Sequence, residues 1–223
     1  MKGRISEIFE SVQGEGLYFG ERQIFIRFFG CNLDCKFCDT KQDYFFECAA
    51  EELFEKIKNY KRQQHYLSFT GGEPLLQKDF LKRILELTSE HGYKNYLETN
   101  GTMPDELEEV IGLLHIVAMD LKFPTSTGLD NFWDKHFKFL EVASKKEVFL
   151  KTVICDDTSE EDLLKGLSLI KEVNLGAVLV LQPNSYQDYR SIEEKLNRFK
   201  QLAMDKGVVA CVIPQVHKII GVK

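Results

Sequence analysis

An α/β fold built on a parallel sheet is the architecture this chain predicts, and three observations predict it. Short runs rich in β-branched and aromatic residues alternate with amphipathic runs of helical spacing along the whole 223 residues. The residues able to carry chemistry fall where the strand-like runs end. No low-complexity stretch, linker or Pro/Gly/Ser-rich segment interrupts the alternation, so residues 1–223 read as a single domain. A half-closed (β/α) barrel and an open doubly wound sheet both satisfy the pattern, and both bind ligands at the carboxyl ends of their strands.

Taken in order, residues 23–29 (QIFIRFF) predict the first core strand and 49–60 a helix. Residues 65–70 (HYLSFT) predict a strand, 78–90 an amphipathic helix, 94–99 (KNYLET) a strand and 105–113 a helix. Strand 116–121 (IVAMDL), helix 131–143 and strand 147–154 (EVFLKTVI) follow. Thr158 with Glu161 has the spacing of a capping box that opens a helix ending near Lys171. Residues 177–182 (AVLVLQ) predict a strand, Ser191 with Glu194 opens another helix, and 208–213 (VVACVI) closes the regular structure.

Composition narrows the function. The net charge of −6 and the lack of a basic tract disfavour nucleic acid and anionic membranes as partners. No apolar run approaches the ~20 residues needed to span a bilayer. Six cysteines without a secretory leader point to a reducing cytoplasm and not to a disulfide framework. Cys155 and Cys211 lie in apolar runs and read as buried small hydrophobes.

Three cysteines, Cys31, Cys35 and Cys38, occur as CxxxCxxC within GCNLDCKFCDT. Thiolate-rich sites select zinc or iron–sulfur clusters. Structural zinc takes four protein ligands, as do electron-carrying 4Fe–4S clusters. Three cysteines on one tight loop suggest instead a 4Fe–4S cluster with one iron left open. Cys48, ten residues on, is the alternative fourth ligand of a zinc or ferredoxin-like module.

Four other strand ends carry polar motifs, each with a plain structural reading beside it. Thr70-Gly71-Gly72-Glu73-Pro74 could be only a tight strand-to-helix turn. Glu98-Thr99-Asn100-Gly101 could be an Asx turn. Asp120-Leu121-Lys122 could be an exposed ion pair. Gln182-Pro183-Asn184-Ser185 divides evenly between a loop and a nucleoside contact. Near the amino terminus, Val12-Gln13-Gly14-Glu15-Gly16 is a surface loop or part of a site. Arg27 is a cation in an otherwise apolar strand and needs an anionic partner, either Glu15 or another protein carboxylate, or a ligand.

The cysteine spacing, with aromatic Phe37 before the last cysteine and GGE after the next strand, resembles the signature of the radical S-adenosylmethionine (SAM) superfamily. The combination FESVQGEG, FIRFFGC and CDT resembles, within it, the 7-carboxy-7-deazaguanine synthase family of 7-deazapurine (queuosine) biosynthesis. The likeness is dense over about the first 40 residues, continues through TGGEP, thins afterwards and returns in PQVHK. It implies a partial (β/α) barrel of the radical SAM type with the active site at the carboxyl ends of its parallel strands. It implies a lyase that converts 6-carboxy-5,6,7,8-tetrahydropterin to 7-carboxy-7-deazaguanine with loss of ammonia, SAM acting as a cofactor that is not consumed. Cys31, Cys35 and Cys38 would hold the cluster, and Thr40 a Mg²⁺. Val12, Gln13, Gly14, Glu15, Arg27 and Thr70 would meet the substrate, with Arg27 on its carboxylate. Phe37, Cys38, Asp39, Gly72, Glu73, Thr99, Asp120, Leu121, Lys122, Gln182, Pro183, Asn184 and Ser185 would meet SAM. A flavodoxin- or ferredoxin-like electron donor and a homodimer complete the expectation. A glycyl-radical activase, which shares CxxxCxxC and GGEP but docks a protein, is the rival enzyme.

Overall fold

A computed structural model describes residues 1–40, 42–60 and 66–222. Its elements are β1 (Lys2–Val12), β2 (Arg22–Phe28), β3 (Phe46–Ala49), α1 (Ala50–Lys58), β4 (Tyr66–Gly71), α2 (Lys78–Glu90) and β5 (Lys94–Thr99). There follow α3 (Pro104–Val110), β6 (Ile116–Asp120), α4 (Pro124–Thr127), α5 (Trp133–Ala143), β7 (Glu147–Ile154) and α6 (Glu160–Val173). The chain ends with β8 (Leu179–Pro183), α7 (Tyr189–Asp205), β9 (Ala210–Val212) and α8 (Val216–Ile220).

One sheet contains all of these strands in the order β3-β1-β2-β4-β5-β6-β7-β8-β9. From β2 to β9 every pairing is parallel, whereas β1 runs antiparallel to both β2 and β3. The two edges, β3 and β9, do not meet, so the sheet curls without closing and the barrel is partial.

Alternation along the strands sorts the side chains into two faces. Ile24, Ile26, Phe28, Leu67, Phe69, Leu97, Val117, Met119, Leu150 and Leu181 share one core with Phe54, Ile84, Leu107, Phe139, Leu167 and Ile192 of the helices. The helices that connect the parallel strands therefore cover one face only, which separates this fold from a doubly wound sheet. A smaller cluster of Tyr96, Ile116, Ala118, Phe149 and Val180 fills the opposite, concave face, with Tyr18 and Tyr66 packed against it.

Several expected boundaries move, each for a local reason. The helix after β7 is capped by Ser159, whose side chain accepts from Asp162 N, and not by Thr158. The Thr158 hydroxyl is occupied at Cys155 N and Ser126 Oγ, 2.7 and 2.8 Å away. Asp188 rather than Ser191 caps α7, accepting from Arg190 N. Helix α5 starts at Trp133 rather than residue 131. His65, expected to begin a strand, lies outside the described residues. Strands β1 and β3 were not anticipated: β1 carries an irregularity between Ile5 and Glu7 that breaks the period-two pattern.

Candidate active site

The parallel strands bring five segments to one end of the sheet, around a cleft of about 620 Å³. The cysteine loop leaves β2 and is pinned from several directions. Gly30 N donates to Gln42 Oε1 at 2.8 Å, Gln42 Nε2 donates to Phe28 O at 2.6 Å, and Lys36 N donates to Thr127 O at 3.0 Å. Gly71 and Gly72 serve this loop. A Cβ on Gly72 would lie 1.9 Å from Gly30 O, and Gly71 has φ of +125° with the Phe28 backbone 2.3 Å from its would-be Cβ. Gly72 N and Glu73 N donate to Phe28 O and Gly30 O across this contact. The two glycines thus let one backbone lie against the other.

Cys31, Cys35 and Cys38 are free thiols that open onto the cleft. Burial pushes the Cys31 thiol up and the Cys35 thiol up to about 11, so both are protonated near neutrality until a metal displaces the proton. Among the described residues no three cysteine, histidine or acidic side chains gather around a single ion position. A cuboid cluster asks for something else: one thiolate for each of three irons, spread along a loop. Cys48 is 3% exposed within the helical-side core, on β3 opposite Gly3, and does not line the cleft. That location removes it as a fourth ligand beside the loop. Cys155 is buried, with Asn184 Nδ2 3.4 Å from its sulfur.

Below the cysteines the concave face carries a belt of charge. Lys151 of β7 bonds Glu15 from the amino-terminal loop and lies 3.7 Å from Asp120 of β6. Asp120 in turn accepts from Lys122 at 3.0 Å. Burial opposes the charge on Lys151, but Asp120, Glu15 and Glu98 outweigh it and hold the ammonium above its ordinary range. Burial likewise opposes ionisation of Glu15, and Lys151 with Gln215 brings its carboxyl below the usual value. Glu98 of β5 accepts from Gln13 Nε2 at 2.8 Å and Thr70 Oγ1 at 2.7 Å. On this face the buried atoms Asp120 Oδ1, Gln182 Oε1, Gln23 Nε2 and Ser68 Oγ have no partner among the described residues. Unpaired buried polar atoms are costly, and a cleft lined with them is built for a polar ligand.

Most residues singled out from sequence line this cleft: Val12, Gln13, Gly14, Glu15, Arg27, Phe37, Asp39, Thr40, Thr70, Gly72, Thr99, Asp120, Lys122 and 182–185 with the three cysteines. Two do not. Leu121 is 1% exposed and packed in the helical-side core. Glu73 is fully buried and clamps a turn, its carboxylate accepting from Leu75 N, Thr99 Oγ1 and Asn100 N. The Asp120–Lys122 pair is 15% and 13% exposed, with Lys122 Nζ 5.4 Å from the Phe37 ring centroid, so it is not a solvated surface pair. Arg27 does not pair with Glu15, which Lys151 occupies. Its Nε lies 3.6 Å from Glu7 across the β1–β2 register, and its Nη1 lies 3.4 Å from the Thr40 hydroxyl.

Sequence reasoning passed over Lys151, gave Glu98 no role of its own within its strand-end motif, and left the reach of the PQVHK tail open. Lys151 carries the same signal that singled out Arg27, a cation inside an apolar strand. The carboxyl-terminal segment reaches back over the cleft: Val216 N donates to Gly14 O at 2.8 Å, and Gln215 Nε2 bridges Glu15 Oε1 and Asp39 Oδ2 at 2.6 and 3.0 Å. Lys218 bonds Asp39 and Ser185 Oγ. His217 lies so close to Gly14 that a Cβ there would meet it at 2.1 Å.

A three-thiol loop and a polar cleft at the strand ends of a partial barrel define a class, and comparison with known proteins agrees. Residues 25–196 match the model of the radical SAM superfamily. A 7-carboxy-7-deazaguanine synthase of Geobacter sulfurreducens is 35% identical, the alignment covering 97% of this chain and 96% of the relative. The corresponding protein of Archaeoglobus fulgidus is also 35% identical, over the full length of both. The crystal structure of QueE from Escherichia coli shares the fold, with a TM-score of 0.68 at 20% identity over 95% of this chain and 94% of that one. The chain belongs to the radical SAM superfamily and, within it, to the 7-carboxy-7-deazaguanine synthase family.

Proposed function

We propose that this enzyme converts 6-carboxy-5,6,7,8-tetrahydropterin to 7-carboxy-7-deazaguanine with loss of ammonia, within one domain spanning residues 1–223. The observation that carries the reading is the meeting of three free thiols with a buried belt of charge in a single cleft. Cys31, Cys35 and Cys38 would hold a 4Fe–4S cluster. When bound, the cluster and SAM would supply one-electron reduction and reversible hydrogen-atom abstraction chemistry. The difficult chemistry is the cofactor's, and the chain's own residues bind, orient and exclude water.

The residues fit such a cargo. Asp120, Lys122, Gln182 and the 182–185 turn present polar groups beside the cysteines, suited to the amino acid and nucleoside parts of SAM, with Phe37 and Gly72 close by. Arg27, a quarter exposed, holds only long contacts with Glu7 and the Thr40 hydroxyl, and its planar cation suits two bonds with a substrate carboxylate. Thr40 offers a hydroxyl within 3.4 Å of Asp39 Oδ1, a hard oxygen set in which Mg²⁺ would keep its remaining positions for water and substrate oxygens. Val12, Gln13, Gly14, Glu15 and Thr70 line the substrate side. A small-molecule substrate and a reductant are the partners; a flavodoxin or ferredoxin as donor, a homodimeric state and a cytoplasmic location extend the proposal. Among the described residues no helix is long and apolar enough to cross a membrane.

Anaerobic reconstitution followed by turnover with SAM, Mg²⁺ and the tetrahydropterin tests the reading, with formation of the deazapurine acid expected. Alanine at Cys31, Cys35 or Cys38 should abolish the cluster absorbance and SAM cleavage, whereas Cys48→Ala keeps both. Iron lost from Cys48→Ala as well would sink the three-thiol assignment.

A further inference from the structure

The turn after β5 carries a side chain whose bonds run toward the cysteine loop. Asn100 is 5% exposed. Its Nδ2 donates to Asn32 Oδ1 at 2.7 Å and to Cys31 Sγ at 3.9 Å. Its Oδ1 accepts from the Thr102 amide and hydroxyl at 3.1 and 2.6 Å, and that hydroxyl accepts from Asn32 Nδ2 at 2.9 Å. Three side chains thereby close a ring between the turn and the loop. The Asn100 backbone is held as firmly: its N–H donates to Glu73 Oε2 at 2.8 Å, and its carbonyl accepts from His136 Nε2 at 3.2 Å. Gly101, with φ of +70°, lets the chain turn where a Cβ would press on Met119 at 2.9 Å. Every polar atom of Asn100 is committed, and one side-chain N–H is directed at a sulfur.

We propose that Asn100 is a positioning residue for the iron–sulfur centre: its amide N–H bonds the Cys31 thiolate, fixes the direction of that ligand and raises the potential at which the cluster takes up an electron. The proposal rests on Cys31 being a cluster ligand. An N–H aimed at a ligating sulfur offsets negative charge, and it does so most in the more negative, reduced state. Leu33 N also donates to the Cys31 sulfur, at 3.5 Å. Asn100 therefore supplies one of two such contacts, and its loss should move the potential without releasing the cluster.

The test is the midpoint potential of the reconstituted cluster without SAM, measured in Asn100→Ala and Thr102→Val. Asn100→Ala should lower the reduced-to-oxidised ratio at fixed potential by about tenfold, a shift of about 59 mV to more negative values for one electron. Thr102→Val opens the ring at its hydroxyl but keeps the N–H···S contact, so it should lower the melting temperature and leave the potential in place. If both variants melt earlier and neither moves the potential, the ring only holds the fold and the proposal falls. A second measurement needs no variant: wild-type protein carrying asparagine labelled with ¹⁵N in the side-chain amide should show a nitrogen coupling to the reduced cluster by pulsed EPR. Absence of that coupling overturns the proposal even where Asn100→Ala does not fold. A cluster that survives Cys31→Ala would instead overturn the ligand assignment, a result separable from an unmoved potential with the cluster intact.

Discussion

The two ends of the concave face are made by the same strands and differ in nearly everything else. At the amino-terminal end Tyr96, Ile116, Ala118, Phe149 and Val180 form a dry plug. Tyr18 leans across it, its ring 5.7 Å from Tyr96 and 6.4 Å from Phe149, its hydroxyl on Glu147 at 2.5 Å. Two residues further along each strand, a step of about 7 Å, stand Glu98, Asp120, Lys151 and Gln182. The first end stabilises the fold by burial. The second places charges and orphaned polar atoms in a desolvated cleft, which costs stability unless something binds there. One sheet thus separates folding from function by a single pleat.

Two successive positions on the concave face of β7, Phe149 and Lys151, give the sharpest way to break that division. Phe149→Ala empties part of the plug and should cost about 3–5 kcal/mol, or a melting temperature lower by roughly 10 °C. Assayed well below that temperature, it should keep most of its turnover. Lys151→Met leaves Glu15 buried without its cation, while Asp120 keeps Lys122, and should cost a comparable ~3–5 kcal/mol, and kcat/KM should fall by ~100-fold or more as well. Thermal melts and steady-state rates on the two variants decide it. Equal losses of turnover at matched folded fractions would mean that the two ends are not functionally distinct.

How much of this was legible in the chain follows the same line. The parallel strands read well because each is a short apolar run buried on both faces, and the helices between them are amphipathic, as in α2 with Phe80, Leu81, Ile84 and Leu85 buried. The cysteine loop and the motifs at strand ends were legible because glycine, cysteine and clustered polar residues break an apolar pattern. Strand β1 was not, because it is half exposed and irregular in register. Lys151 escaped notice although Arg27, with the same signal, did not. The reach of Gln215 and Lys218 to Glu15 and Asp39 joins residues 176 to 200 positions apart, and no local pattern announces it.

A second pair of buried ionisable groups, Glu73 and His136, lies off the concave face and sharpens the contrast, since neither has an ionic partner among the described residues. Burial pushes the Glu73 carboxyl from 4.5 up to about 7, against three hydrogen-bond donors that favour its charge. Burial holds the His136 imidazole down from 6.5 to about 4, its Nδ1 without a partner among the described residues. The signs oppose. Folded Glu73 binds its proton more tightly than the unfolded chain does, so its contribution falls as pH rises from 4.5 to 7. The unfolded chain protonates His136 first, so that contribution rises with pH from 4 to 6.5. Each is worth ~3 kcal/mol across its range, and between pH 4.5 and 6.5 they cancel. Glu73→Gln should make stability climb with pH in that window, and His136→Phe should make it decline. Denaturant melts at several pH values measure both slopes, and two variants with the wild-type profile would show that neither group titrates with folding.

Arg27 stands on the rim of the charged end, and its partner tells which side of the division it belongs to. It shares a face with Phe25 and Gln23 on β2, beside Thr70 in the parallel register with β4. Its guanidinium lies 5.6 Å from the Phe9 ring centroid and 3.6 Å from Glu7, with both members of that ion pair about a quarter to a third exposed. A long, partly solvated pair contributes ~0–1 kcal/mol to folding, so stability alone does not account for a cation here. A substrate carboxylate seated in the cleft would be drier and could take two parallel bonds. Arg27→Ala should therefore raise the pterin dissociation constant by about 30-fold, corresponding to ~2 kcal/mol, while the cluster spectrum and SAM affinity barely change. Glu7→Gln serves as the companion, because it removes the protein partner and keeps the cation, so pterin affinity should hold or improve. Calorimetric titration of the reconstituted enzyme with the pterin in the presence of SAM makes the measurement. Normal pterin affinity in Arg27→Ala, with a lowered melting temperature matched by Glu7→Gln, would move Arg27 from the binding end of the face to the folding end.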